Sequence, residues 1–387
     1  MVAGGFLRVR AHGFIWALCA ALIFAAGGAE AARAAQTTTT GNQVQVWNVN
    51  TTHMQIGPPA GTTDYRNFVA YITDATRAPY VPDIVTLQEA GSFAEGSRAS
   101  CTEFAGLLAW VAHHPYDCVE TGQQGGAAVV FRTDRFTRET VSGVPAGSDI
   151  RNGAWVPELR RTVAGGTCSA SGSNWRSIAV RLKDTPNPSQ PTVFKRVNVG
   201  SFHFPTLKDS GGIPVYDADC AWDNMQNLDT KLASVSADMR IAAGDTNHAD
   251  AVATNNNNTY ADWEYWYRHS NFKTATTSPC GAPDLCWKDV MYQKWFWAFQ
   301  NAGVPVTPSG MYGYMHAYEW SWVQTAGPGG FGAPTKTDRR DYIFVKTYGV
   351  ALDSVNQPRT VQWQDAGGTD IRYSDHRGQG ALLMYGP

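Results

Sequence analysis

Ile241-Ala242-Ala243-Gly244-Asp245-Thr246-Asn247-His248 is the stretch on which the fold turns. Apolar residues run straight into a glycine, and Asp245 and Asn247 follow two apart, so on a strand their side chains would share one face. A strand that ends in a turn with clustered polar groups is where α/β proteins place their chemistry. Gly, Asp, Thr and Asn also make ordinary turns, so the weight of this segment depends on matching strand ends elsewhere.

Such ends recur. Gln43 to Val49 alternates around Val44, Val46 and Val49 and predicts a strand finishing at Asn48 and Asn50. Asp83 to Gln88 predicts another, with Glu89 at its end, and Val193 to Phe202 a third, running into Ser201-Phe202-His203-Phe204-Pro205. Further strands are expected over Ala127 to Phe131, with Phe136 to Val144 as hairpin partner, and over Ser177 to Leu182, with Arg176 at its entrance. Asp338 to Val345 carries Asp341, and Asp375 and His376 precede a terminal strand. Helical periodicity marks Tyr65 to Arg77, Cys101 to Ala112, Asp223 to Met239 and Leu285 to Asn301. Hairpins interspersed with long helices predict an α+β fold of two packed, mostly antiparallel sheets flanked by helices, a four-layer α/β/β/α sandwich.

Composition bounds the rest. The chain has 387 residues and is 43% hydrophobic, enough for one large core. Arg8 and Arg10 precede an apolar run from Phe14 to Ala26 and then small residues, the layout of a secretory signal peptide over 1–34, with 35–387 as a single exported domain. No later run is long enough to span a membrane. Removal of the signal would leave 28 Lys+Arg against 32 Asp+Glu, a formal charge near −4, with no basic tail to grip a polyanion. Six cysteines remain, and an even number in an exported chain favours disulfides; the expected pairs are Cys101 with Cys118, Cys168 with Cys220, and Cys280 with Cys286. A zinc cluster is disfavoured, because there is no C-x-x-C pair. An insertion at about 255–331 is rich in Trp and Tyr, including Trp263, Trp266, Trp287, Trp295, Tyr312, Tyr314 and Trp320. Most of these rings are expected in a core, and a few at a cleft would set the substrate.

Collected from the strand boundaries, Asn48, Glu89, His203, Asp245, Asn247, Asp341, Asp375 and His376 exceed what turns need. Carboxylates and amides bind a hard cation such as Mg2+ through oxygen, and imidazoles move protons or stabilise phosphoryl oxygens, so the set points to hydrolysis at phosphorus.

In Val46-Trp47-Asn48-Val49-Asn50, Val85-Thr86-Leu87-Gln88-Glu89, Ser201-Phe202-His203-Phe204, Gly244-Asp245-Thr246-Asn247, Arg339-Arg340-Asp341-Tyr342-Ile343-Phe344 and Ser374-Asp375-His376, the chain resembles the endonuclease/exonuclease/phosphatase superfamily, motif by motif and in family order. Leu87 to Ser92, with Arg176, also resembles the nuclease subunit of cytolethal distending toxins, more loosely. The resemblance implies Asn48, Glu89 and Asp375 as ligands of Mg2+, with Mn2+ or Ca2+ as substitutes. It implies Asp245 to orient or deprotonate water, Asn247 to hold the phosphate, and His376 with Asp341 against the phosphate. His203 would approach from the other side and Arg176 would grip a phosphate oxygen. Two departures stand out. Thr121 to Val129 offers no carboxylate for His203, Glu120 being a distant candidate, and His248 is an added imidazole. The expected activity is that of a secreted, extracellular and monomeric endonuclease on DNA, with RNA as a second substrate. Alternatives are a sphingomyelin or phospholipid phosphodiesterase whose aromatic insertion meets a lipid interface, a phosphomonoesterase on nucleotides or inositol phosphates, and a non-enzymatic binding scaffold.

Overall fold

A computed structural model describes residues 35–39, 41–51, 64–90, 100–121, 126–157, 162–163, 166–168, 176–185, 193–204, 207–208, 214–215, 218–247, 287–305, 322–325, 334–338, 340–347, 355–361, 363–364, 370–371 and 376–385. The expected signal segment, His248, Asp375 and most of the aromatic insertion lie outside these residues. Among the described residues, no helix is long and apolar enough to cross a membrane.

The strands of the two large sheets are, in chain order, β1 (Gln43–Asn50), β2 (Ile84–Ala90), β3 (Tyr116–Glu120), β4 (Gly126–Arg132), β5 (Phe136–Arg138), β6 (Ala154–Val156), β7 (Ser177–Asp184), β8 (Lys195–His203), β9 (Met239–Asp245), β10 (Lys288–Asp289), β11 (Asp341–Thr347), β12 (Val355–Val361) and β13 (Gly378–Met384). One sheet has the order β12-β13-β1-β2-β4-β3, the other β10-β11-β9-β8-β7-β5 with β6 also on β7. Only β1 with β2 and β8 with β9 run parallel; the remaining pairs in these two sheets are antiparallel.

Strand periodicity of two sorts the side chains into three cores. Val44, Val46, Ile84, Val129 and Phe131 of the first sheet meet Ile178, Val180, Val197, Val199, Ile241, Ala243 and Ile343 of the second in the central layer. The alternate residues Trp47, Val49, Val85, Leu87 and Val130 face outward and are covered through Phe68, Ile72, Phe104 and Leu108. Those four belong to α1 (Asp64–Ile72) and α2 (Cys101–Ala112). On the far side Phe202, Ala242 and Phe344 are covered by Met225, Leu228 and Leu232 of α3 (Ala218–Ala233). The result is the expected α/β/β/α sandwich, in which each fully buried large apolar side chain stabilises by about 1.5–3 kcal/mol. A last helix, α4 (Val290–Asn301), packs against β11 and β12, so it spans an edge where the two sheets meet.

Several local expectations are corrected. α1 stops at Ile72 rather than Arg77, because Thr73 Oγ1 bonds back to the Val69 carbonyl and Asp74 Oδ1 accepts from both Thr76 N and Oγ1, a turn that competes with the helix. α3 runs from Ala218 to Ala233 rather than from Asp223 to Met239. β5 does not pair with β4; it crosses to the second sheet and pairs with β7, while the unanticipated β3 takes the place beside β4. α2 begins where expected, fixed by a capping box between Ser100 and Glu103. The Cys101–Cys118 disulfide then ties its first turn to β3. The side chains of Cys168, Cys220, Cys280 and Cys286 fall outside what is described.

One end of the central layer is closed by ions. Arg135 binds Asp184 through both Nε and Nη2 at 2.7 Å and reaches Asp83 Oδ2 at 3.1 Å, with Tyr385 Oη on Asp184 at 2.7 Å and Thr39 Oγ1 on Asp83 at 2.7 Å. All five residues are buried. Arg135→Met would strip Asp184 of its guanidinium and leave Asp83 with Arg132 alone, 3.2 Å away, and a loss of about 3–5 kcal/mol in unfolding free energy is expected from urea denaturation. A loss below about 1 kcal/mol would show that solvent reaches this end of the sandwich.

Candidate active site

The opposite end of the same central layer is polar. Gly244 is what lets β8 and β9 run so close there: a Cβ at this position would lie 1.9 Å from the Phe202 carbonyl oxygen. The register then places His203 opposite Asp245 and Asp245 opposite Asp341, an imidazole and two carboxylates in a row across three strands. His376 stands just before β13 and completes the row, its Nδ1 2.7 Å from Asp341 Oδ2 and its Nε2 3.7 Å from Asp245 Oδ2. From the facing sheet come Asn50, at the end of β1, and Glu89, in β2.

The two halves meet on Asp245. Asn50 Nδ2 donates to Asp245 Oδ2 at 2.9 Å and lies 3.4 Å from Glu89 Oε1. His203 Nε2 is 3.6 Å from Glu89 Oε1 and 3.7 Å from Asp245 Oδ2. Glu89 reaches this point from a left-handed backbone, φ 53°, at a break in the β2–β4 ladder. Asn247 has a similar φ of 52°; its backbone N–H donates to Asp245 Oδ1 at 2.6 Å and its Nδ2 to the Phe204 carbonyl at 2.6 Å. Left-handed conformations at non-glycine residues are costly and concentrate at sites where geometry is functional.

Of the residues anticipated from sequence, Glu89, His203, Asp245, Asp341 and His376 come together. Asn247 borders them and spends one amide proton on Phe204. Arg176 lies beside His203, its carbonyl accepting from the His203 N–H at 3.1 Å. Asn48 does not join them. Its Oδ1 accepts from Thr86 Oγ1 and Gln88 Nε2 inside the sandwich, and Asn50, two residues on and on the same face, stands at the site instead. The alternation of Val44, Val46, Asn48 and Asn50 carried that signal, since the last residue on the inner face is the one that reaches the end of the layer. Glu120 is spent on the N-terminus of α2, accepting from Cys101 N at 3.3 Å, so the carboxylates near His203 come from Glu89 and Asp245. Arg340 was not foreseen: it is buried, its carbonyl accepts both Thr246 N and Oγ1, and its charge favours ionised Asp245. A cation at a strand entrance reads in sequence as solvated.

Burial pushes the Asp245 carboxyl up to about 6, and Asp341 pushes it the same way against the pull of His376, Arg340 and the Asn247 amide. Asp245, Asp341 and His376 form a buried cluster able to hold a divalent ion, each offering a ligand atom within 4.8 Å of the others. The donors fit a hard cation: buried carboxylates dominate, and turning the Asn50 amide over would present its oxygen between Glu89 and Asp245. The His376–Asp341 contact has the length of a hydrogen bond, so an ion using Nδ1 would have to displace its proton.

No protein-family model and no curated protein matches the sequence. Among solved structures, the chain is similar to D. rerio TDP2 complexed with a single-strand DNA product (15% identity, 88% of this chain and 98% of that one, TM-score 0.47). It is also similar to an endonuclease/exonuclease/phosphatase from Beutenbergia cavernae (18% identity, 89% and 72%, TM-score 0.46). A third, from Bacteroides vulgatus and of the same description, gives 14% identity, 89% and 99%, and a TM-score of 0.46. None of these likenesses assigns a substrate or an activity to this chain.

Because the folded carboxyl of Asp245 sits near 6 rather than 3.8, it contributes stability that is fully present below about pH 3.8 and lost as pH rises through about 6. A cation that binds the ionised form offsets that loss. Mg2+ or Mn2+ is therefore expected to raise the melting temperature strongly at about pH 8 and little at about pH 5, with Asp245→Ala insensitive at both. An equal rise at both pH values, measured by calorimetry, would exclude Asp245 as the ion's anchor.

Proposed function

We propose that this chain is a secreted, divalent-cation-dependent phosphodiesterase that hydrolyses nucleic acid, DNA first and RNA second. The observation that carries the proposal is the meeting of Asn50 and Glu89 of one sheet, and of His376 just before β13 of that sheet, with His203, Asp245 and Asp341 of the other at one end of the central layer. Two imidazoles and three carboxylates converging at one end of an apolar sandwich have no packing purpose, since each buried charge costs folding free energy unless it is used.

Glu89, Asn50 and Asp245 are the residues proposed to hold Mg2+, with Asp375 as a further ligand and Mn2+ or Ca2+ as substitutes. When bound, the ion would supply charge stabilisation at a phosphoryl oxygen. Asp245, between His203 and His376, is suited to orient the attacking water and to accept its proton on the carboxylate oxygen not given to the ion. Asp341 holds the His376 ring by its Nδ1 and leaves Nε2 toward Asp245, where an imidazolium would stabilise the negative charge of the transition state. His203 lies on the other flank of Asp245, placed to give a proton to the departing oxygen. Arg176 beside it is proposed to hold a neighbouring phosphate. A nucleic acid is preferred because the aromatic residues of the insertion suit stacking on bases; the acidic balance of the chain makes cation bridging to the backbone more important than direct basic contacts.

The test is hydrolysis of plasmid DNA, RNA, sphingomyelin and a phosphomonoester panel, each with Mg2+ and with chelator. Mg2+-dependent nicking is expected, reduced about 100- to 10,000-fold in His376→Ala with a smaller change in KM. Release from lipid or monoester without DNA cleavage would keep the chemistry and discard the nuclease assignment. Inactivity on every substrate would discard the enzymatic one.

A further inference from the structure

The two halves of the site belong to different sheets, so their separation depends on what crosses the gap between those sheets. Directly beneath the site one polar layer does so. Gln88 Nε2 donates to Asn48 Oδ1 at 2.9 Å within the first sheet and to Ser201 Oγ at 3.1 Å on the second. Ser201 Oγ donates in turn to the Leu87 carbonyl at 2.8 Å, and Thr86 Oγ1 to Asn48 Oδ1 at 2.7 Å. All four polar side chains are completely buried. Gln88 immediately precedes Glu89, and Ser201 is two residues before His203 on the same face of β8.

This layer lies where the β2–β4 ladder is bulged. The β2–β4 register runs to Leu87 opposite Ala128 and resumes at Ala90 opposite Gly126, so Gln88 and Glu89 together stand against the single residue Ala127, a β-bulge. A residue with a Cβ keeps a left-handed backbone such as that of Glu89 only where its surroundings over-determine it. Here the surroundings are Ser201, on the Leu87 carbonyl, and Thr51, whose N and Oγ1 both donate to the Gln88 carbonyl at 2.8 and 2.7 Å. If the layer served packing alone, apolar residues of the same size would do better, because Asn48 Nδ2 and Gln88 Oε1 are buried without a partner among the described residues.

We infer that Ser201 and Gln88 are positioning residues: they clamp the Glu89 bulge to the second sheet and so set the distance between Glu89 and the His203–Asp245 pair. The inference rests on the cation-dependent function proposed above. Bulges beside active sites re-aim side chains, and groups that orient ligands change metal affinity by about 10- to 100-fold when removed.

Ser201→Ala and Gln88→Met test it, beside Val180→Ala as a destabilised control in the central core. Mn2+ affinity is measured by calorimetry, and kcat and KM on the phosphodiester that the wild type cleaves. Each of the two variants is expected to lose about tenfold in Mn2+ affinity and in kcat, with KM within about twofold. The double variant is expected to be little worse than either one, because both break the same link. The inference is overturned if Mn2+ affinity stays within about twofold of wild type, or falls no further than in Val180→Ala. A wild type inactive on every phosphodiester defeats the proposed function alone, the Mn2+ affinities still deciding the clamp; a wild type that binds no Mn2+ defeats both.

Discussion

Two sheets pressed face to face leave a gap about 10 Å thick that only side chains can fill. Because successive residues alternate between faces, each strand sends every second side chain into that gap, and the same rule that places Val44, Val46, Val197, Val199, Ile241 and Ala243 there must place Asn48, Asn50, Ser201, His203 and Asp245 there too. The middle of the gap is apolar and closes by burial. Its two ends are polar and differ in kind. At one, Arg135, Asp83 and Asp184 satisfy one another and water is excluded. At the other, Asp245, Asp341 and His376 bring ligand atoms within 4.8 Å of one another, an arrangement that suits a divalent ion.

That second end is held at some cost. Asp245 is fully buried beside Asp341, Glu89 and Asn247 keep left-handed backbones, and Gly244 is the only residue type that fits against the Phe202 carbonyl. Such features lower stability and are retained where pre-organisation matters. They also explain the division of labour between the sheets. The His203, Asp245 and Asp341 row is rigid because three paired strands carry it in register, whereas Glu89 sits on a bulged ladder and depends on bonds from Thr51 beside it and from Ser201 of the other sheet.

Much of this was legible in the chain. The four-layer architecture followed from periodicity and element order, and Glu89, His203, Asp245, Asp341 and His376 followed from polar residues at apolar strand ends. Local competition limits the helix boundaries: Asp74 and Thr76 make a turn that ends α1 at Ile72, although the helical pattern continues to Arg77. Pairing partners were harder still. Phe136 to Arg138 carries nothing to say that it leaves β4 for β7, because strand pairing is a long-range choice made by the whole sheet.

What the sequence by itself determined is which residues face the gap, since side-chain parity is a property of the strand alone. What only the tertiary structure decided is where along the gap each one stops. Asn48 and Asn50 have the same parity and the same chemistry. The stagger of β1 against β8 and β9 makes the first an interior amide and puts the second against Asp245. The raised proton affinity of Asp245, the left-handed turn at Glu89 and the Ser201 bond to Leu87 belong to the same class. Each arises from groups far apart in the chain, whose interaction exists only once the two sheets have closed.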